Sequence, residues 1–234
     1  MTKLGTLARS TSFACGLLGL ASVGRAGLIA YEPFNYAALP NGTASSASGF
    51  SGNWTCGTAP AVIPGLVYPN LPTAYNALSS TSGRQFENFS SPLSSGTKWV
   101  SFLFQLAGNN GGNICGVYLP NGGTGLFFGF GLAPFSTTQG GLGLGSISTT
   151  NAGPQGAVNL ASSFLGSYAT NYFVALKIDF NTSGNNDTVT VYLNPIANAT
   201  APGVAATYTI SSFDVGTIAG VGFQNQGGGF AIMA

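Results

Sequence analysis

Few groups in this 234-residue chain could do acid–base or nucleophilic chemistry. There are five carboxylates (Glu32, Glu87, Asp179, Asp187 and Asp214), three cysteines and no histidine. Without histidine no Ser-His-Asp or Cys-His site can form, and no imidazole can hold a metal. A glycoside hydrolase needs two carboxylates about 5 to 9 Å apart. The nearest two acids in sequence are Asp179 and Asp187, at either end of one loop. Ser95-Gly96-Thr97-Lys98 has the S-x-x-K spacing of serine acyl enzymes, which set the serine at a helix start. Here Lys98 opens a strand pattern, so chance is the better reading. Gly141, Gly143 and Gly145 lack the following helix that an anion-binding loop requires. The expectation is a protein that is not an enzyme.

Recognition is the remaining chemistry. Trp99, Gln105, Lys177, Asp179, Tyr192 and Gln224 alternate away from the apolar side of their segments. If they share a sheet face, they form an aromatic and polar surface suited to sugar rings. The competing reading is an ordinary solvated sheet face, with Trp99 partly covered by a loop. The loop Asn181-Thr182-Ser183-Gly184-Asn185-Asn186-Asp187 offers oxygen ligands but one acid, so it would bind Ca2+ weakly at most. The better reading is a polar hairpin loop, with Asn and Gly supplying positive φ. No other metal or cofactor is expected.

Strands must position these residues. Beyond residue 26 no helical period holds; short apolar runs alternate with Gly/Asn/Ser/Pro clusters. In 98–106, Val100, Phe102, Phe104 and Leu106 share one face and Trp99, Ser101, Leu103 and Gln105 the other. Further strands are expected at 114–119, 126–132, 140–147, 205–210 and 218–224, with a last one starting near Phe230. The strongest signal is a hairpin of 172–180 and 187–194. Apolar residues must meet across the ladder, which sets Ile178 opposite Val189, Leu176 opposite Val191 and Lys177 opposite Thr190. That register sends Asp179 and Asp187 to opposite faces. The fold class is all-β, and a two-sheet antiparallel sandwich is the economical architecture.

Charged residues are 5% of the chain, against roughly 25% in an average domain. Lys3, Arg9 and Arg25 fall within the first 26 residues, leaving Arg84, Lys98 and Lys177 against the five acids, a net of −2. No basic stripe remains to neutralise phosphates, so nucleic acid is not an expected partner. Residues 1–26 run from a basic start through the apolar Phe13-Ala14-Cys15-Gly16-Leu17-Leu18-Gly19-Leu20-Ala21-Ser22-Val23 to Gly24-Arg25-Ala26. This is the order of a secretory signal peptide cut after Ala26. Residues 27–234 are expected to form a single sandwich domain, secreted or at the cell surface, with no membrane-spanning segment. Export makes a Cys56–Cys115 disulfide an option, two unrelated buried thiols being the alternative.

At the hairpin, Phe173-Val174-Ala175-Leu176-Lys177-Ile178-Asp179-Phe180 and Asp187-Thr188-Val189-Thr190-Val191-Tyr192-Leu193-Asn194-Pro195 resemble the central hairpin of concanavalin A-like and laminin-G-like jelly rolls. Tyr31-Glu32-Pro33-Phe34-Asn35-Tyr36, Trp99-Val100-Ser101-Phe102-Leu103-Phe104-Gln105 and Val221-Gly222-Phe223-Gln224-Asn225-Gln226 are similar to stretches of secreted bacterial proteins of the PEP-CTERM type. The expectation is that this chain is either a fragment without that family's C-terminal sorting tail or is anchored differently. The resemblance implies a jelly-roll sandwich whose last strand, begun at Phe230, pairs with the first at 28–31. It also implies a domain cut short at its C-terminal end. The expected function is a non-catalytic glycan-binding or adhesion domain with a polysaccharide or glycan as partner. The alternative is a structural component of an extracellular matrix or envelope. A polysaccharide hydrolase survives only if acids from distant loops converge.

Overall fold

The computed structural model of the chain describes residues 28–39, 41–45, 48–71, 76–80, 82–106, 115–121, 124–131, 141–148, 154–161, 170–181, 187–194, 206–213, 215–225 and 230–233. The leader, loop residues 182–186 and Asp214 lie outside them. Fourteen strands occur among the described residues: β1 (Phe50–Cys56), β2 (Ala61–Pro64), β3 (Asn76–Ser80), β4 (Gly83–Leu93), β5 (Gly96–Leu106), β6 (Cys115–Asn121), β7 (Thr124–Gly131), β8 (Gly141–Ser148), β9 (Pro154–Ala161), β10 (Asn171–Phe180), β11 (Asp187–Leu193), β12 (Ala206–Phe213), β13 (Ile218–Asn225) and β14 (Phe230–Met233). They make two seven-stranded sheets. The first runs β1-β4-β13-β6-β7-β8-β9 and the second β12-β11-β10-β5-β14-β3-β2. Every described pairing within them is antiparallel. The fold is therefore the all-β, two-sheet sandwich that the alternation implied, in the jelly-roll form that the resemblance implied. No helix among the described residues is long and apolar enough to cross a membrane.

The hairpin register is the expected one. Ile178 faces Val189, Leu176 faces Val191 and Lys177 faces Thr190. On its other edge β10 pairs with β5 over ten positions, from Asn171↔Gln105 to Phe180↔Gly96. Inward residues of these strands, including Phe102, Phe104, Val174, Leu176, Ile178 and Val191, are buried in one core. They meet Cys115, Val117, Leu119 and Phe223 from the first sheet. At one end Phe34, Trp54 and Phe223 form an aromatic knot. Phe34 lies 6.1 Å from Trp54 and 5.8 Å from Phe223, and Trp54 stacks on Phe223 at 5.8 Å. On the outer face of the first sheet, Gly222 lets the Tyr118 ring lie against β13. A Cβ there would strike that ring and the Gln85 carbonyl.

Strands β1 to β4 escaped the sequence reading for a physical reason. On β4 the inward positions next to Phe89 are Gln85 and Glu87, both fully buried. A polar residue at a core position erases the apolar alternation by which strands are recognised. Two expectations are corrected. Described residues of the last strand pair with β3 and β5, not with 28–31, where Tyr31 instead bridges to Ser48. Cys56 and Cys115 are buried thiols and are not bridged to each other. Both sit in the first sheet with β4 and β13 between their strands. Three strand spacings are about 14 Å, whereas a disulfide needs Cα atoms within about 7 Å. Burial also pushes the Cys56 thiol up to about 11, which keeps it unreactive.

Denaturing the protein without reductant should therefore expose two alkylatable thiols, at Cys56 and Cys115; protection of both would restore the bridge. The register has its own check in urea melts. Ile178→Asp buries an unpaired charge and should abolish folding, while Lys177→Ala, on the outward face, should leave the urea midpoint close to the parent's. The reverse order would mean a register shifted by one residue.

Candidate functional site

The outward face of β5, β10 and β11 is assembled by three cross-strand rows. Trp99 pairs with Lys177, and Lys177 with Thr190. One row along, Ser101 pairs with Ala175 and Ala175 with Tyr192. In the other direction Thr97 pairs with Asp179 and Asp179 with Thr188. Trp99 and Tyr192 are thus diagonal neighbours across β10, within reach of long side chains. The small Ala175 leaves room between them, and the rings approach to 5.5 Å with planes 30° apart. Trp99 remains 47% exposed.

Beside the rings runs a charged chain. Lys177 Nζ donates to Asp179 Oδ2 at 2.6 Å, and Thr97 Oγ1 donates to Asp179 Oδ1 at 2.6 Å. Burial works against the Asp179 charge, but the hydrogen bonds from Lys177 and Thr97 win and hold its carboxyl below the usual range. The hydrogen bond to Asp179 raises the Lys177 ammonium pKa, against a small burial effect. Both groups stay charged near neutral pH. They suit hydrogen bonding to hydroxyls and not proton transfer, which needs a pKa near the working pH.

Trp99, Lys177, Asp179 and Tyr192 are therefore gathered on one face, as the alternation implied. Of the other two expected members, Gln224 is on the other sheet, and Gln105 shares the face but lies away from the rings. Gln224 belongs to the first sheet, because β13 lies between β4 and β6. It is buried there and accepts from Arg84 Nε at 3.1 Å. Gln105 is on the right sheet but three rows from Trp99 on the same face of β5, and it donates to Asn171 Oδ1 at 2.7 Å. Asn171 in turn donates to the Val67 carbonyl. Around that end residues 65–71 cover the face. Leu66, Tyr68 and Leu71 pack with Leu103, Ala77 and Phe173 as a second apolar cluster. Thr97 was missed because the strand begins at Gly96, two residues earlier than the apolar alternation showed.

Asp187, at the calcium candidate, has both oxygens occupied by backbone donors. Asn181 N–H reaches Oδ1 at 2.7 Å and Val215 N–H reaches Oδ2 at 2.8 Å. It closes the hairpin loop from inside. The S-x-x-K serine precedes a strand, as expected.

Two acids far apart in sequence do converge, in the core. Glu32 Oε1 accepts from Phe34 N–H at 2.7 Å, and Oε2 accepts from the Tyr36 hydroxyl at 2.7 Å and the Trp54 indole at 3.4 Å. Glu87 lies against Glu32 and is fully buried. The Ser45 hydroxyl is near enough to favour the Glu87 charge slightly, yet among the described residues neither Glu87 oxygen meets a well-aligned donor. Two ionised carboxylates buried side by side repel, which favours a proton on one of them. Burial foremost, then the charge and hydrogen bond of Glu32, push Glu87 up to about 7. Burial raises Glu32 as well, against its three donors.

No protein-family model matches the chain, and no curated protein matches it in sequence. Solved structures with similar folds include the Emp46p carbohydrate recognition domain in its metal-free form (11% identity, TM-score 0.44, covering 84% of this chain and 93% of that one). A legume lectin-like domain from Entamoeba histolytica is another (11%, 0.40, covering 74% and 86%). A third is a beta-1,3-glucanase from Mycobacterium marinum (10%, 0.41, covering 89% and 97%). The fold assignment rests on the strand order and register above and not on these scores.

The acid pair sets a pH dependence. Between pH 4.5 and about 7 the folded state holds a proton at Glu87 that the unfolded state has released. Stability from this site is full below pH 4.5 and falls as pH rises through about 7, by a total on the order of 3 kcal/mol. Glu87→Gln should flatten melting temperature against pH between 5 and 8 and raise it at pH 8. Parallel curves for the two proteins would remove the shared proton.

Proposed function

We propose that this chain is a glycan-binding adhesion domain, displayed at the cell surface or secreted, with no catalytic role. The Trp99–Tyr192 ring pair carries the reading. It is an exposed aromatic surface flanked by the fixed Lys177–Asp179–Thr97 hydrogen-bond chain. An aromatic face takes the C–H side of a sugar ring, while charged and hydroxyl groups beside it take the sugar hydroxyls. The non-catalytic part is supported by the acids themselves. Asp179 is held ionised by Lys177, Asp187 is capped by backbone, and Glu32 and Glu87 press on each other inside the core. Secretion rests on the order of residues 1–26.

A glycan array is the test. Binding to at least one class of oligosaccharide is expected, weakened tenfold or more by Trp99→Ala and by Tyr192→Ala, with melting temperatures close to that of the parent. Absence of any sugar signal together with self-assembly would favour the structural-component alternative. Release of reducing ends from a bound polysaccharide would overturn the non-catalytic part.

A further inference from the structure

The charges on the sugar platform cancel, and that selects among sugars. Residues 27–234 hold three bases, Arg84, Lys98 and Lys177, all of them among the described residues. Arg84 is on β4 of the other sheet. Lys98 alternates with Trp99 along β5, in the phase of Phe102 and Phe104, which are buried in the core. It therefore points to the other side of the sheet. Lys177 is the one base that the described residues place on the outward face of β5, β10 and β11. Its ammonium is engaged by Asp179 Oδ2 at 2.6 Å.

The acids divide in the same way. Glu32 and Glu87 are buried, and Asp187 is held by two backbone N–H groups. Asp179 is the one described acid on the face, with Oδ2 on Lys177 and Oδ1 on Thr97. Among the described residues the face has zero net charge. The two side chains of the pair are still 32% and 35% exposed, so a ligand on the rings would meet them. Their neighbours are neutral. Thr97 and Thr188 pair with Asp179, and Ser101 pairs with Ala175. Each hydroxyl can donate and accept, as sugar hydroxyls do.

An anionic sugar finds no counter-charge here. To reach Lys177, its carboxylate must break the bond to Asp179 and leave that acid unpaired beside it, a arrangement that rejects the ligand. If the bond stays, the added charge faces Asp179, and like charges repel. A sugar stacked on Trp99 also meets an aromatic face that is itself electron-rich. A neutral hexose brings only hydroxyl and C–H groups, which the hydroxyls, the pair and the rings can all accommodate. We propose, on the reading that the platform binds sugar, that it accepts uncharged glycans and rejects those carrying carboxylates, with the Lys177–Asp179 pair as the discriminating element.

The probes are tetrasaccharides of glucose, galactose and mannose, and counterparts in which each C6 hydroxymethyl group is a carboxylate. In calorimetric titration of the full chain, at least one neutral probe should bind at least tenfold tighter than its own uronic counterpart. Its affinity should change less than twofold between about 0.05 and 0.5 M salt. Asp179→Asn leaves Lys177 without its counter-charge. This variant should bind that uronic counterpart at least tenfold tighter than the parent does, and raised salt should remove the gain. Uronic binding equal to or tighter than neutral binding in the parent overturns the proposal and leaves the sugar-binding reading intact. An Asp179→Asn protein that melts near the parent and binds the uronic probe no better does the same. Failure of every probe to bind also overturns the proposal, and only a blank glycan array besides would take the sugar-binding reading with it.

Discussion

Strand β10 is hydrogen-bonded along its length by β5 on one side and β11 on the other, and its alternation is the constraint on which the structure depends. Val174, Leu176 and Ile178 face the core, and Ala175, Lys177 and Asp179 face out. Because side chains repeat every second residue, the same register that buries the aliphatic row fixes Trp99, Tyr192 and Thr97 over the outward row. Stability and recognition are two sides of one ladder. A slip of one residue would put Lys177 into the core and Ile178 among the outward groups, so the burial of Ile178 and Val191 holds that face in place.

The second sheet was legible in the sequence where its residues alternate cleanly, and so was the hairpin with its register. Trp99, Lys177, Asp179 and Tyr192 could be placed together because each lies in a strand whose apolar partners declare its phase. Gln224 could not. Its strand also alternates, but nothing local says which sheet the strand joins, and β13 pairs with β4 and β6. Glu87 was opaque for the opposite reason. A carboxyl in the core looks like a solvated residue until Glu32 is seen beside it, and that contact joins segments remote in sequence. The thiols show the same limit, since two cysteines define a pairing but not a distance.

Two buried acids sit beside Trp54 of β1. Glu32, Tyr36, Trp54 and Glu87 tie the segment before β1 to the first sheet. Residues 28–32 of that segment also line a cavity of about 740 Å³ beside β5. The platform lies on the outward side of the same strand, where Lys177 and Asp179 neutralise each other in water. Their mutual hydrogen bond adds little stability at such exposure, but it fixes donors and acceptors next to the rings.

The account stands on Trp99 meeting sugar from the outward face of β5. The chain has two tryptophans, and the other, Trp54, is sealed in the core. Their indole N–H signals in a ¹H–¹⁵N spectrum report the two environments separately. Titration with an oligosaccharide that scores on the array should move the Trp99 indole signal in a saturable way and leave that of Trp54 in place. A shift confined to Trp54, or saturable binding that moves neither indole, would contradict the outward platform as the site.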